Sequence, residues 1–299
     1  MNVVIAGSSG LIGTELRAAL AARGDRCIAL VRHQPGTNEV RWNPTRGELD
    51  IDVLRDCDAV INLAGAGIGD KRWTSAYKAT ILESRTSTTS TLAAALAELA
   101  SDGRQRRFLN ASAIGFYGSR NDETLDESSD AGSGFLADVC TSWEAATTPA
   151  EAAGVPTVHL RTGIVLTPKG GALKKLLPLF RLGVGGRMAS GKQWQSWISL
   201  DDEINAILHL LTSTITGAVN LTAPNPVTNA EFTKILAKAV RRPALVPVPA
   251  FGPRLLLGRE LADALLMTGQ RVLPQRLLAD GFTFVHENLD EALSDILSH

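Results

Sequence analysis

The residues best suited to do chemistry lie at the start of the chain. Gly7-Ser8-Ser9-Gly10-Leu11-Ile12-Gly13 reads GxxGxxG and directly follows the apolar run Val3–Ala6. Such a run entering a glycine loop reads as a buried strand, and Leu11, Ile12, Leu16, Ala19 and Leu20 then recur at helical spacing. In that context each glycine has its own physical reason. Gly7 permits a sharp turn, Gly10 lets the backbone approach a pyrophosphate, and Gly13 lets helix and strand pack closely. The helix N-terminus adds free N–H groups and a partial positive charge that favour phosphate. The loop therefore predicts dinucleotide binding.

The end of the second strand, Cys27–Val31, selects the dinucleotide. An acidic residue there would hold the ribose 2′-hydroxyl of NAD. This chain has Arg32 followed by His33. A guanidinium pairs with a 2′-phosphate through parallel charge-assisted bonds, whereas a carboxylate would repel it. The expected cofactor is NADP(H).

Alternating elements must position these groups. Strands are expected at Ala59–Leu63, Phe108–Ala111, Thr157–Leu160 and Gly217–Ala223. A long helix is expected over Thr74–Ala100 and another over Ser142–Ala153. The alternation predicts an α/β fold, a Rossmann-type doubly wound parallel sheet with a smaller, mostly helical substrate and C-terminal part. Residues 1–226 read as the dinucleotide-binding domain, with substrate-cleft insertions from about 167–200. Residues 227–299 read as a small helical module, since prolines break the chain from Pro224 onward. Asp201-Asp202-Glu203 reads as an acidic helix start that suits the helix dipole.

Composition excludes several classes. The chain has 299 residues, with 30 Lys+Arg against 31 Asp+Glu, so nucleic acid is not an expected main partner. Arg104, Arg106 and Arg107 read as a solvated turn before a strand. Three cysteines without a CxxC fit a reducing cytoplasm, and five scattered histidines show no metal site. No apolar stretch approaches the roughly 18 residues of a membrane span, so no membrane partner is expected.

The chain resembles the short-chain dehydrogenase/reductase superfamily, in its extended, nucleotide-sugar-epimerase-like branch. More closely it is similar to the "epimerase family protein" group with a small helical C-terminal domain. The resemblance rests on Ala6–Gly13, Leu30-Val31-Arg32, Val60–Gly65, Arg72-Trp73-Thr74, Ser84-Arg85 and Ser112–Gly118. It continues through Phe135–Val139 with Trp143-Glu144, Leu160–Leu166, Gly191–Asp201, Ala223–Phe232 and Gly269–Pro274. It implies that Leu63, Ala64 and Gly65 line the cofactor and that Arg85 faces the pyrophosphate or nicotinamide ribose. It places Ala111, Ser112 and Ala113 near the nicotinamide, and it leaves a homodimer open.

The chain departs from that superfamily at its proton-transfer pair, a tyrosine with a lysine four residues later. It has two tyrosines; Tyr77 is followed at that distance by Ile81 and Tyr117 by Asn121. In the expected helix, Leu136 and Cys140 fall near the positions of the pair. Ser112 and Tyr117 are the candidate catalytic replacements. Asp138 lies in the same helix, and Trp73 opens a loop, with Lys71 and Arg72, that could cover the cleft. Gln193, Trp194 and Trp197 could form a substrate wall.

Two function classes follow. One is an NADP(H)-dependent oxidoreductase or epimerase-like enzyme on an unknown small polar substrate. The other is a non-catalytic NADPH-binding sensor or interaction protein, a class kept open by labels linked to cell division among relatives.

Overall fold

The structure, a computed structural model, describes residues 1–244 and 246–298. Seven strands form one parallel sheet: β1 Asn2–Ala6, β2 Arg26–Val31, β3 Glu39–Arg41, β4 Ala59–Asn62, β5 Arg107–Ala113, β6 Thr157–Thr162 and β7 Gly217–Leu221. Their order is β7-β6-β5-β4-β1-β2-β3, so the chain reverses direction across the sheet between β1 and β4. Ligands of open α/β sheets bind at such a switch point, outside the carboxyl ends of the strands.

Side-chain alternation in β1 explains the layers. Val3 and Ile5 enter one core with Leu16 and Leu20 of helix α1 (Leu11–Ala22). Val4 and Ala6 enter the opposite core with Leu92 and Leu96 of helix α2 (Ser75–Leu99). A strand covered on both faces needs apolar residues at every position, which is why β1 reads as an unbroken run. Thr74 caps α2 by accepting the Tyr77 N–H at 3.1 Å. Helix α3 spans Phe135–Ala145 and a separate short helix spans Thr148–Ala152, in place of the single helix expected over 142–153.

The second half adds α4 (Gly171–Arg181), α5 (Leu200–Leu210), α6 (Asn229–Ala239) and α7 (Leu289–Ser298). Leu173, Leu177 and Trp197 share a core with Phe232, Leu236, Leu289 and Leu293. Residues on both sides of position 226 therefore pack into one apolar unit. Thr228 and Glu231 form a reciprocal capping box that starts α6.

One polar reading changes in the folded chain and another gains a partner. Arg106 is buried, not solvated: its guanidinium binds Asp102 and the carbonyls of Leu54 and Arg55. Asp201, Asp202 and Glu203 do form the first turn of α5, which Ser199 caps, and Asp202 and Glu203 are in addition fully buried. Asp202 accepts backbone N–H groups from Val285 and His286, so it ties the C-terminal segment to α5.

Candidate functional site

A cleft of about 1480 Å³ opens at the carboxyl ends of β1, β2 and β4. Gly7, Ser8, Ser9 and Gly10 form its floor, Leu63, Ala64 and Gly65 one side, and Arg32 and His33 its outer rim. Gly7 has φ +81°, and a Cβ on it would lie 2.6 Å from the carbonyl carbon of Leu63. A Cβ on Gly13 would lie 2.3 Å from the Gly7 carbonyl oxygen. Both glycines are thus required by the chain itself. A Cβ on Gly10 would meet only the Gly7 oxygen, at 3.3 Å, so that position is kept small on the cleft side. Gly10 is the N-cap of α1 and no side chain caps the helix. The first-turn N–H groups are left for an external anion, which fits a pyrophosphate. Leu11 packs against Gly170 and Ile12 against the core, so these two support the loop from behind.

A buried polar network holds the β4 side of the cleft. The Asn62 amide donates to Thr89 Oγ1 at 2.9 Å and to Asn110 Oδ1 at 2.8 Å, and its oxygen accepts the Ala64 N–H. Trp143 Nε1 donates to the same Thr89 hydroxyl. Ser84 Oγ accepts the Ala66 N–H at 3.0 Å. These bonds fix the Leu63–Ala66 turn from α2, α3 and β5 together. Asn62 lies in the Val60–Gly65 stretch but drew no role there, and Thr89 carried no signal, because their partners are distant in sequence.

Arg85 stands behind that turn. Its guanidinium donates to the carbonyls of Ala66 and Ile81 and stacks 4.9 Å from the Trp143 ring. Burial lowers its pKa, and among the described residues no carboxylate pairs with it. Gly65 is small because Arg85 lies against it: a Cβ there would come within 3.2 Å of the guanidinium carbon. Arg17, Trp42 and Thr45 also line the cleft and escaped sequence reading. Trp42 and Thr45 follow β3, a three-residue strand too short to leave a periodic signal.

The candidate catalytic hydroxyls sit elsewhere, in a closed network. Ser112 Oγ donates to Glu144 Oε1 at 2.6 Å. Arg161 holds the same carboxylate through two bonds of 2.8 Å and donates to Tyr117 Oη at 3.0 Å. Tyr117 in turn donates to Asn220 Oδ1 at 2.7 Å. Burial alone would raise the Glu144 pKa; the bonds from Arg161 and then His159 overcome it and hold the carboxyl at about 2. Ser112 and Tyr117 are both buried and neither lines the cleft. Ala111 is likewise buried within β5.

Leu136 and Cys140 lie together on α3, 3.4 and 3.6 Å from where a Cβ of Gly115 would stand. Burial pushes the Cys140 thiol up to about 11, so it holds its proton at neutral pH. The remaining candidates are dispersed. Trp197 is fully buried in the second-half core, with its N–H on the Asn225 carbonyl, and has no surface to offer a substrate. Gln193 spends its amide on the carbonyls of Met188 and Leu266. Trp194 donates to Asp122 at 2.6 Å. Trp73 donates to the Ile68 carbonyl and meets Phe135 edge-on, which braces the loop after β4. Asp138 is exposed on α3.

Comparison with known proteins agrees with this frame. The model described as the NAD dependent epimerase/dehydratase family matches residues 3–221, and a domain of unknown function, DUF1731, matches residues 248–296. An epimerase family protein of Mycobacterium leprae is 45% identical over 294 residues, covering 98% of this chain and 94% of that protein. The Bos taurus epimerase family protein SDR39U1 is 36% identical over 305 residues, covering 100% of both. The crystal structure of human SDR39U1 (isoform 2) with NADPH matches with a TM-score of 0.89 at 32% identity, covering 100% of this chain and 99% of that one. A nucleoside-diphosphate sugar epimerase from Corynebacterium glutamicum matches with a TM-score of 0.82 at 36% identity, covering 99% of this chain and 58% of the other. With the glycine cradle, the seven-stranded sheet and these matches in hand, the chain belongs to the NAD dependent epimerase/dehydratase family, in the group of epimerase family proteins that pair this domain with a DUF1731 segment.

Proposed function

We propose that this chain binds NADP(H) in the cleft and lacks the Tyr–Lys proton-transfer chemistry of the superfamily it resembles. The observation that carries the reading is the cradle itself. Gly7 and Gly13 are sterically obligatory, Gly10 leaves room, and the uncapped α1 N-terminus faces the cleft. Arg32 at the rim supplies the charge for a 2′-phosphate, and the human relative crystallised with NADPH supports the same choice. The test is a binding titration of the purified chain with NADPH and NADH. Tighter binding of NADPH is expected; equal or tighter binding of NADH would sink the assignment.

The first functional reading is a non-catalytic NADPH-binding sensor or interaction protein. It is favoured by the commitment of Ser112 and Tyr117 to the Glu144–Arg161 network and by Leu136 and Cys140 on the α3 face. Hydride transfer is the chemistry the nicotinamide supplies when bound. This chain's residues would then orient the ring and exclude water, with the proton drawn from solvent or substrate. That second reading, an oxidoreductase on a small polar molecule, is favoured by Arg85, a largely buried cation beside the Gly65–Ala66 turn that has no carboxylate partner among the described residues. Such a charge suits an anionic group brought by a ligand. The two readings separate in one assay. NADPH absorbance is followed against a panel of carbonyl compounds and nucleotide sugars, with thermal stabilisation by NADPH as the control for binding. Turnover establishes the enzyme; stabilisation without turnover across the panel favours the sensor.

A further inference from the structure

The even charge total conceals a strong segregation. Residues 167–200 contain six Lys and Arg and no Asp or Glu, and residues 232–259 contain six and none. The rest of the chain then holds 18 cations against 31 carboxylates. The fold brings the two basic stretches together. Arg242 donates to the Arg181 carbonyl at 3.1 Å, and the Val248 N–H donates to the Arg187 carbonyl at 2.9 Å. Arg72, in the loop after β4, binds the carbonyls of Leu255 and Leu256 and anchors the short helix Phe251–Leu257 beside them.

The same stretches carry the largest exposed apolar side chains of the molecule. Leu182, Val184, Val246, Phe251, Leu255 and Leu256 are each between 62% and 77% exposed. Side chains so exposed project into solvent. Lys169 pairs with Glu15, and Arg254 and Arg259 both pair with Asp263, so the unpaired charge of this face comes from the segments beside the short helix and not from the helix itself. Among the described residues, Lys174, Lys175, Arg181, Arg187, Arg241 and Arg242 pair with no carboxylate.

We propose that this face docks on an anionic lipid surface. Phe251, Leu255 and Leu256 enter the boundary between headgroups and acyl chains, and the unpaired lysines and arginines of the adjoining segments, Arg181, Arg187 and Arg242 among them, meet lipid phosphates. Protruding leucine and phenylalanine set among cations is the composition of an interfacial element. No helix of the described residues is long and apolar enough to cross a membrane, so the contact is peripheral. Charge argues against a second copy of the chain as the occupant. A two-fold contact through this face would set cations against like cations.

The test is flotation of the full chain with vesicles of phosphatidylcholine alone and of phosphatidylcholine with about 30% phosphatidylglycerol. Wild-type protein is expected to float with the anionic vesicles only, and to be released by salt. The double variant Leu255→Ser/Leu256→Ser is expected to lower that partition at least about tenfold. Arg181→Ser/Arg242→Ser should lower it and weaken its salt dependence, while Arg46→Ser, outside the two basic stretches, should leave it unchanged. Unaltered thermal stabilisation by NADPH certifies that each variant is folded. Equal flotation with both vesicle types, or with neither, overturns the proposal. Binding to poly-glutamate without binding to either vesicle also overturns it and reassigns the face to an acidic protein partner.

Discussion

The two polar centres at the carboxyl edge of the sheet are built on opposite terms. Around β1, β2 and β4 the backbone is open: the α1 N-terminus has no side-chain cap, and Arg32 is exposed at the rim. Between β5 and β6 the side chains answer one another: Ser112, Glu144, Arg161, Tyr117 and Asn220 form one continuous buried chain of bonds. Unmet donors at a surface cleft are held for a ligand, whereas a closed network in low dielectric serves rigidity. The difference teaches that a hydroxyl near the expected catalytic place is not a catalytic hydroxyl when a buried carboxylate already holds it.

The contrast is broken most forcefully at Arg161. Replacing it in Arg161→Met takes the guanidinium from buried Glu144, leaving it only Ser112 and His159, and should cost about 3–5 kcal/mol of stability. Urea unfolding measures the loss, and the NADPH dissociation constant of the folded fraction should stay within about twofold of wild type, since the sites share no partners. A large loss of NADPH affinity would join the two centres that the structure keeps apart.

Glu203 offers the next effect, with a defined pH sign. Burial pushes its carboxyl up to about 8, opposed only by the bond from Thr162. The folded chain therefore binds a proton that the unfolded chain releases, and stability falls as pH rises from the ordinary carboxylate range through 8. Glu203→Gln removes this dependence. It should be near neutral at pH 4 and more stable than wild type by about 3 kcal/mol at pH 7, as read from denaturation midpoints across that range.

At the open centre, Arg32→Ala should weaken NADPH by roughly 10- to 100-fold and leave NADH unchanged, because only the 2′-phosphate bond is lost. Isothermal titration with both cofactors reads this directly. The smallest effect belongs to Ser112→Ala. Glu144 keeps both bonds from Arg161, so the loss should be about 1 kcal/mol of stability. NADPH binding, and any turnover found, should not change; a collapse of turnover would return Ser112 to the catalytic list.

The sequence by itself determined the parallel sheet, the glycine cradle, the rim arginine and the absence of a Tyr–Lys pair. These are local properties: a run that must be apolar on both faces, a turn without room for Cβ, and a spacing that can be counted. It also placed α2 closely, since the helical pattern over 74–100 is local to that segment. It misplaced Arg106 and Trp197, and although it put Asp202 in the first turn of α5 it gave no sign that the side chain is buried. A charged or aromatic side chain has the same local appearance in water or in a core, and only its distant partners decide. Those partners are Asp102 with the Leu54 and Arg55 carbonyls, the Val285 and His286 N–H groups, and the Asn225 carbonyl. The tertiary structure likewise decided that Ser112 and Tyr117 belong to one buried network and that two basic stretches share a face. Both depend on segments far apart in sequence, and no period or spacing along the chain records such contacts.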